Sequence, residues 1–290
     1  MLRRILSEIG FRLGRKSDSP DLLKWASRKD PAWLRPAFEL ARRGIPGPAS
    51  HCLLDSFSAL RACSIARGGP LFEGDRQFLA SVLANLERST GQIFQDVAAL
   101  LHSSRETGGF FVEVGVGDGE KHSNSFMLER EFGWTGVLVE PDRRFHARLS
   151  STRTARLEKR PAFSRHGVNM RFLEASGSGE LSTLKGFGGE DGRIRRGRLY
   201  EVQTVTLDAV LEQSKAPRTI DYVSIDTEGS ELEVLAALDL NRWDVRFLTI
   251  EHNFVPGKKE RITELLAPHG FRPVLQDFSH MDLWLARPGG

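Results

Sequence analysis

From residue 110 onward, short apolar runs alternate with amphipathic stretches. Residues 110–114, 136–139, 220–225 and 245–250 are rich in β-branched and aromatic side chains. Near-continuous apolar runs of that length are the pattern of strands buried on both faces of a parallel sheet. Helical periodicity falls between them, near 123–132, 143–151, 206–214, 230–237 and 258–268. A third strand is expected within 156–164, ending at Ala162-Phe163-Ser164. Residues 168–206 place apolar side chains at alternate positions (Val168, Met170, Phe172; Val202, Thr204, Thr206), which predicts strands around the irregular loop GFGGEDGRIRRGR. Two last runs, 271–275 and 281–286, predict a hairpin-like pair closing the sheet. Strands alternating with helices indicate a doubly wound α/β domain.

The first 88 residues carry a different pattern. Leu2, Ile5, Leu6, Ile9 and Leu13 share one face of a basic helix over 2–16, a form suited either to an anionic membrane surface or to docking on its own domain or a partner subunit. Ser19-Pro20 and Asp30-Pro31 read as N-caps followed by proline in the first turn, starting helices near 20–29 and 31–43. GIPGPAS, residues 44–50, is a turn or linker, and further helices are expected near 51–66, 74–88 and 91–104. Trp25, Trp33 and Phe38 read as packing residues. The expected division is a helical extension over 1–88 and an α/β domain over 89–290.

Composition narrows the class. Hydrophobic content of 40% and charged content of 27% are those of a soluble globular protein. Net charge is only +3, although the pI is about 9.0, so a dedicated nucleic-acid binder is not indicated. The two cysteines, Cys52 and Cys63, form neither a disulfide framework nor a zinc motif. No run reaches the roughly 18–20 apolar residues of a membrane span. No apolar segment of a signal peptide follows the N-terminal charges, so a cytoplasmic location is expected.

Candidate chemistry centres on residues 110–142. Gly115, Gly117 and Gly119 follow the first strand, and Glu140 ends the second, about 20 residues further on. An acid so placed can accept hydrogen bonds from the two hydroxyls of an adenosine ribose. The glycines are spaced G-x-G-x-G, unlike the G-x-G-x-x-G dinucleotide fingerprint, and Asp118 and Glu120 lie in the loop. Acids beside a pyrophosphate are unfavourable. S-adenosylmethionine (SAM) instead carries a sulfonium and an ammonium, which acids suit, and Glu113 fits the same reading.

A second set of acids, Asp226, Glu228 and Glu231, follows the strand at 220–225, and Glu251-His252-Asn253 follows the strand at 245–250. Ligands of open α/β sheets bind at these carboxyl ends. Acids here can hold an ammonium, serve as general base or ligate a divalent metal. Glu231 is explained by charge at a helix N-terminus. Arg193, Arg195, Arg196 and Arg198 are candidates for contact with an anionic substrate.

The stretches STGQIFQD (89–96), FFVEVGVGDGEKHSNSFMLEREFGWTGVLVEPD (110–142), VQTVTLDAVL (202–211), IDYVSIDTEGSELEVL (220–235) and FLTIEHN (247–253) resemble the FkbM-type SAM-dependent methyltransferases. The upstream motif departs from the usual Ser-Gln start, having Ser89-Thr90. The resemblance implies a class I, Rossmann-like, mostly parallel seven-stranded sheet with an antiparallel C-terminal strand. It implies methyl transfer from SAM to a hydroxyl of a sugar, glycan or glycolipid precursor. Small natural products and peptide carboxylates are the alternative acceptors, and a non-catalytic SAM-binding scaffold is a further reading. By the same resemblance Glu113, Gly115, Gly117, Asn124, Glu140 and Asp226 would bind SAM, and Asp226 and Glu228 would face the reaction centre. Gln95 and Asp96 match the upstream motif. Asp226 and His252 are the candidate bases, and Asp226 with Glu251 is the alternative metal pair. The expected partners are the acceptor, a membrane surface through residues 1–16, and a second copy of the chain; nucleic acid is not expected.

Overall fold

The computed structural model describes residues 73–103, 105–177 and 179–287. The chain divides into two compact units, Met1–Glu87 and Arg88–Gly290. The expected helices over 2–66, the cysteines and the three N-terminal aromatics lie outside the described residues. Of the first unit the description covers helix α1, Glu73–Asn85. Among the described residues no helix is long and apolar enough to cross a membrane.

The second unit is built on a seven-stranded sheet. Its strands are β1 (Phe110–Val114), β2 (Thr135–Val139), β3 (Arg156–Glu158), β7 (Thr219–Ile225), β8 (Asp244–Glu251), β9 (Arg272–Pro273) and β10 (Asp282–Ala286), in the spatial order β3-β2-β1-β7-β8-β10-β9. The first five are parallel; β10 runs antiparallel to β8 and to β9. The order reverses between β1 and β7, the crevice where open α/β sheets take ligands. Val112, Val114, Val137, Val139, Val223, Ile225, Leu248 and Ile250 form the continuous apolar core of this sheet. Helix α2 (Gln95–His102) precedes β1, and the connections between strands carry α3 (Phe126–Phe132), α4 (His146–Thr152), α5 (Leu207–Ser214), α6 (Glu231–Leu235) and α7 (Lys258–Leu266).

Three elements differ from the sequence reading. The third strand stops at Glu158, and Ala162 instead makes an isolated bridge to Val205. The alternating residues of 168–206 form their own antiparallel sheet of β4 (Asn169–Ala175), β5 (Thr183–Leu184) and β6 (Gly197–Gln203), ordered β5-β4-β6. Tyr200 Oη donates to Pro141 O at 2.7 Å and Ser182 Oγ to Asp142 at 2.9 Å, which ties this sheet to the tip of β2. Helix α3 starts at Phe126 rather than Ser123 because Ser123, Asn124 and Ser125 all donate to the buried Glu113 carboxylate.

Candidate active site

Glycine positions the β1 tip against the β7 tip. Gly115 has φ 82°, and a Cβ there would lie 1.6 Å from the carbonyl oxygen of Asp226. Gly117 also has positive φ, at 60°, but faces open space. Glu140, at the end of β2, gathers this loop. Its Oε2 accepts from the amides of Val116 (2.9 Å) and Gly117 (2.7 Å), and its Oε1 from the amide of Asp142 (2.7 Å). Burial outweighs these bonds and pushes the Glu140 carboxyl up to about 7.

Glu113 takes a different role from the one its position suggests. It is 2% exposed, and it receives Ser123 Oγ at 2.9 Å, the Asn124 amide at 2.7 Å and Ser125 Oγ. Arg153 lies 3.9 Å away and also bonds Glu129, Gly119 O and Ser125. The side chain therefore stands behind the glycine loop and shapes it. Glu113→Gln leaves Arg153 short of a counter-charge in a buried network and is expected to cost about 3–5 kcal/mol, read as a fall in the denaturation midpoint. Full stability with lost ligand affinity would instead place Glu113 in the ligand's contact set.

The upstream motif is a second brace. Asp96, fully buried, accepts from Ser89 Oγ and from the amides of Thr90, Gly91 and Val97. Thr90 Oγ1 then donates to Ser123 O at 2.7 Å. Gln95 Nε2 donates to Asp282 in β10 at 3.0 Å.

These elements surround a cavity of about 450 Å³ along the carboxyl edge of β2, β1, β7 and β8, within the range of small-molecule sites. Pro141, Ala162, Phe172 and Leu184 line its apolar part. Gly115, Gly117, Asn124 and Glu140 line its middle, and Asp226, Glu228, Glu251, Asn253 and Arg193 its polar part. Asn124 Nδ2 donates to Ser224 at 3.0 Å, while its buried Oδ1 has no partner among the described residues. An acceptor atom is thus left for a ligand's N–H.

Asp226, Glu228 and Glu251 bring carboxylate oxygens within 4.8 Å of one another. Glu228, held at φ 57°, is bound by Arg195 and by Arg193 Nη1 at 3.3 Å. Arg195 also forks onto Asp191, at 2.8 and 2.6 Å. The two arginines therefore close on the protein's own carboxylates. Burial, then Glu228, Asp282 and Glu231, drive Asp226 well above the carboxylate range. Burial and Asp226 do the same to Glu251. The second carboxylate oxygen of Glu251 is buried and unpartnered among the described residues. Two guanidinium groups at Glu228 oppose a divalent cation at this triplet, so the donor set does not suit a metal in this arrangement. Glu231 accepts from the Thr227 and Gly229 amides and pairs with Lys258 at 2.5 Å, which fixes the turn into α6.

His252 does not face the cavity. Its Nδ1 accepts from the Phe254 amide at 3.0 Å, and burial lowers its pKa. Glu251 and Asn253 on either side line the cavity, so the neighbouring positions take the place expected for His252. The wall from β4 and β5 had no motif to announce it, and Asn253 stood in the motif FLTIEHN without a role of its own.

The raised acids set a pH dependence. Glu140 moves from 4.5 to about 7 and Asp282 from 3.8 to about 6, both by burial. A raised carboxyl contributes stability that is full below its unfolded pKa and lost as pH rises through its folded pKa. The thermal midpoint of wild type minus that of Glu140→Gln is therefore expected to fall from pH 4.5 to above 7. A flat difference would contradict the assignment.

A family model described as the methyltransferase FkbM domain matches residues 113–289, more than half of the chain. A solved structure, methyltransferase FkbM from Methylobacillus flagellatus KT, is 14% identical, with a TM-score of 0.41; the match covers 83% of this chain and 62% of that one. The chain thus spans less than two thirds of that relative's length. No curated protein matches it. The glycine loop, the acid ending β2 and the acids ending β7 and β8 all fall within the matched span, and the chain belongs to the FkbM family of methyltransferases.

Proposed function

We propose that the protein is a SAM-dependent O-methyltransferase whose acceptor is a hydroxyl of a sugar, glycan or glycolipid precursor. One observation carries this reading: a glycine loop braced by a β2 acid shares a single cavity with an acid pair at the next strand tips, Asp226 half-buried and Glu251 buried. The residues suit SAM. Glu140 would receive the ribose hydroxyls, Gly115 and Gly117 would let the backbone approach, and the unpartnered Asn124 Oδ1 would receive the ammonium. When bound, SAM supplies an already activated methyl group, so the protein's task is alignment and proton removal.

Asp226 is the proton acceptor in this reading. Its carboxylate lies within 4.8 Å of that of Glu251, and burial and acidic neighbours raise both carboxyls; a carboxyl held high in the pH range is a stronger base than an exposed one. The acceptor hydroxyl would give its proton to the pair as its oxygen takes the methyl. Arg193, half exposed and bonded to Glu228 and Asn253, would orient neighbouring hydroxyls. Peripheral membrane contact through residues 1–16 would suit a lipid-linked acceptor; flotation of the protein with anionic vesicles, with and without those residues, tests it.

The test is methyl transfer from labelled SAM to methyl glycosides and to di- and trisaccharides of common hexoses and 6-deoxyhexoses. Wild type is expected to label at least one. Asp226→Asn is expected to lower kcat by about 10²–10⁴ while S-adenosylhomocysteine binding persists. A wild-type protein that binds S-adenosylhomocysteine and labels none of them would sink the sugar assignment.

A further inference from the structure

A second cavity, of about 310 Å³, adjoins the first at two shared lining residues, Glu228 and Asn253. Both shared residues sit in the left-handed region, at φ 57° and 48°. For non-glycine residues that conformation is costly, and it persists where the surrounding structure holds it, often at ligand sites. The outer wall is the glycine-rich segment 186–191. It packs backbone to backbone on the turn after β7: a Cβ on Gly229 would lie 2.3 Å from the Gly188 nitrogen.

The lining identifies a class of ligand. Phe187, Leu232 and Val255 give an apolar surface. Every charged group of the lining already has a partner within the protein. Asp191 and Glu228 hold Arg195; Lys258 holds Glu231; Glu233 accepts from Ser164 Oγ; Arg261 lies 4.0 Å from Glu190. The buried charges of the lining, Asp191, Glu228 and Lys258, are committed within the protein, which leaves Glu233, bonded to a neutral hydroxyl, and the exposed rim pair Arg261 and Glu190, and favours a ligand without charge of its own. A neutral molecule with hydroxyls on its rim and an apolar face does fit, bonding the already oriented carboxylates, the Asn253 amide and the peptide groups of 186–189.

We infer that the second cavity is an acceptor subsite, which holds the neutral sugar unit next to the one that is methylated. This deepens the proposed function and rests on it. The acceptor would lie across Glu228 and Asn253, with its reacting hydroxyl at Asp226 and its next ring against Leu232 and Val255. The assignment makes the preferred acceptor an oligosaccharide rather than a single sugar.

Two cavity-filling variants test it, Val255→Trp and Leu232→Trp, each half-buried in the wild type and neither lining the first cavity. Binding of S-adenosylhomocysteine by calorimetry is expected to stay within twofold, which also reports correct folding. With trisaccharide acceptors kcat/KM is expected to fall roughly tenfold to a hundredfold, as for one lost pocket contact, mainly through KM. With the matching methyl glycoside it stays at the wild-type value. Equal rates of wild type and both variants on short and long acceptors would overturn the subsite and leave the sugar reading standing. So would equal losses on both acceptor lengths. A wild type that labels no saccharide while binding S-adenosylhomocysteine overturns both.

Discussion

Replacing Glu140 with alanine lowers S-adenosylhomocysteine affinity by about 10²–10⁴-fold. Two losses add. Bonds from the ribose hydroxyls to a charged acceptor contribute about 1.5–3 kcal/mol. The amides of Val116 and Gly117 also lose the carboxylate that holds the loop in place, at 2.9 and 2.7 Å, and unpartnered donors disfavour the loop geometry by about 1–3 kcal/mol. Glu140→Gln keeps the shape but turns N–H donors toward N–H donors unless the amide rotates, so a smaller loss is expected. Calorimetry measures both. A variant that binds as tightly as wild type would remove Glu140 from the cofactor site and with it the central support for the SAM reading.

Gly115→Ala is expected to destabilise the protein by about 3–5 kcal/mol, at the large end of single substitutions. An alanine at φ 82° is itself strained, and its Cβ would sit 1.6 Å from Asp226 O, so the tips of β1 and β7 must separate. Asp226 N also donates to Val114 O at 2.9 Å, and that bond is the seam of the cavity. Gly117→Ala is the control. At φ 60° with nothing within 4 Å, it pays only the conformational term, about 1 kcal/mol. Chemical denaturation of the two variants separates them. Equal small effects would mean that the strand tips yield more readily than close packing allows.

The α/β frame was legible because its strands are apolar runs separated by helical periodicity, and both signals come from burial. Gly115, Gly117, Glu140 and Asp226 were legible for a related reason: strand ends are countable, and strand ends are where the cavity lies. Side-chain direction at a loop was not. His252 and Glu251 are adjacent in sequence, yet only Glu251 lines the cavity, because the turn after β8 hands the His252 ring to the Phe254 amide. Glu113 differs in another way. A carboxylate beside a glycine loop reads as a ligand contact, and only the positions of Ser123, Ser125 and Arg153 show how many bonds it already makes within the protein. The separate β4–β6 sheet was half legible: its alternation was visible, but nothing local says which strands pair.

The bond from Gln95 to Asp282 joins positions 187 apart. Strand β10, last of the described strands, also lies between β8 and β9 in space. Non-local pairing of this kind is slow, because the chain entropy lost in closing the loop comes before the contacts that offset it. During synthesis the parallel strands from β1 to β8 emerge with one edge of the sheet bare, and the cavity wall beside Glu251 has no Met281 or Asp282 behind it. A nascent chain therefore has no finished site to be stabilised by its ligand, and ligand rescue of folding can begin only once β10 has been released. Pulse-labelled refolding with added S-adenosylhomocysteine would show this as a late rather than an early acceleration.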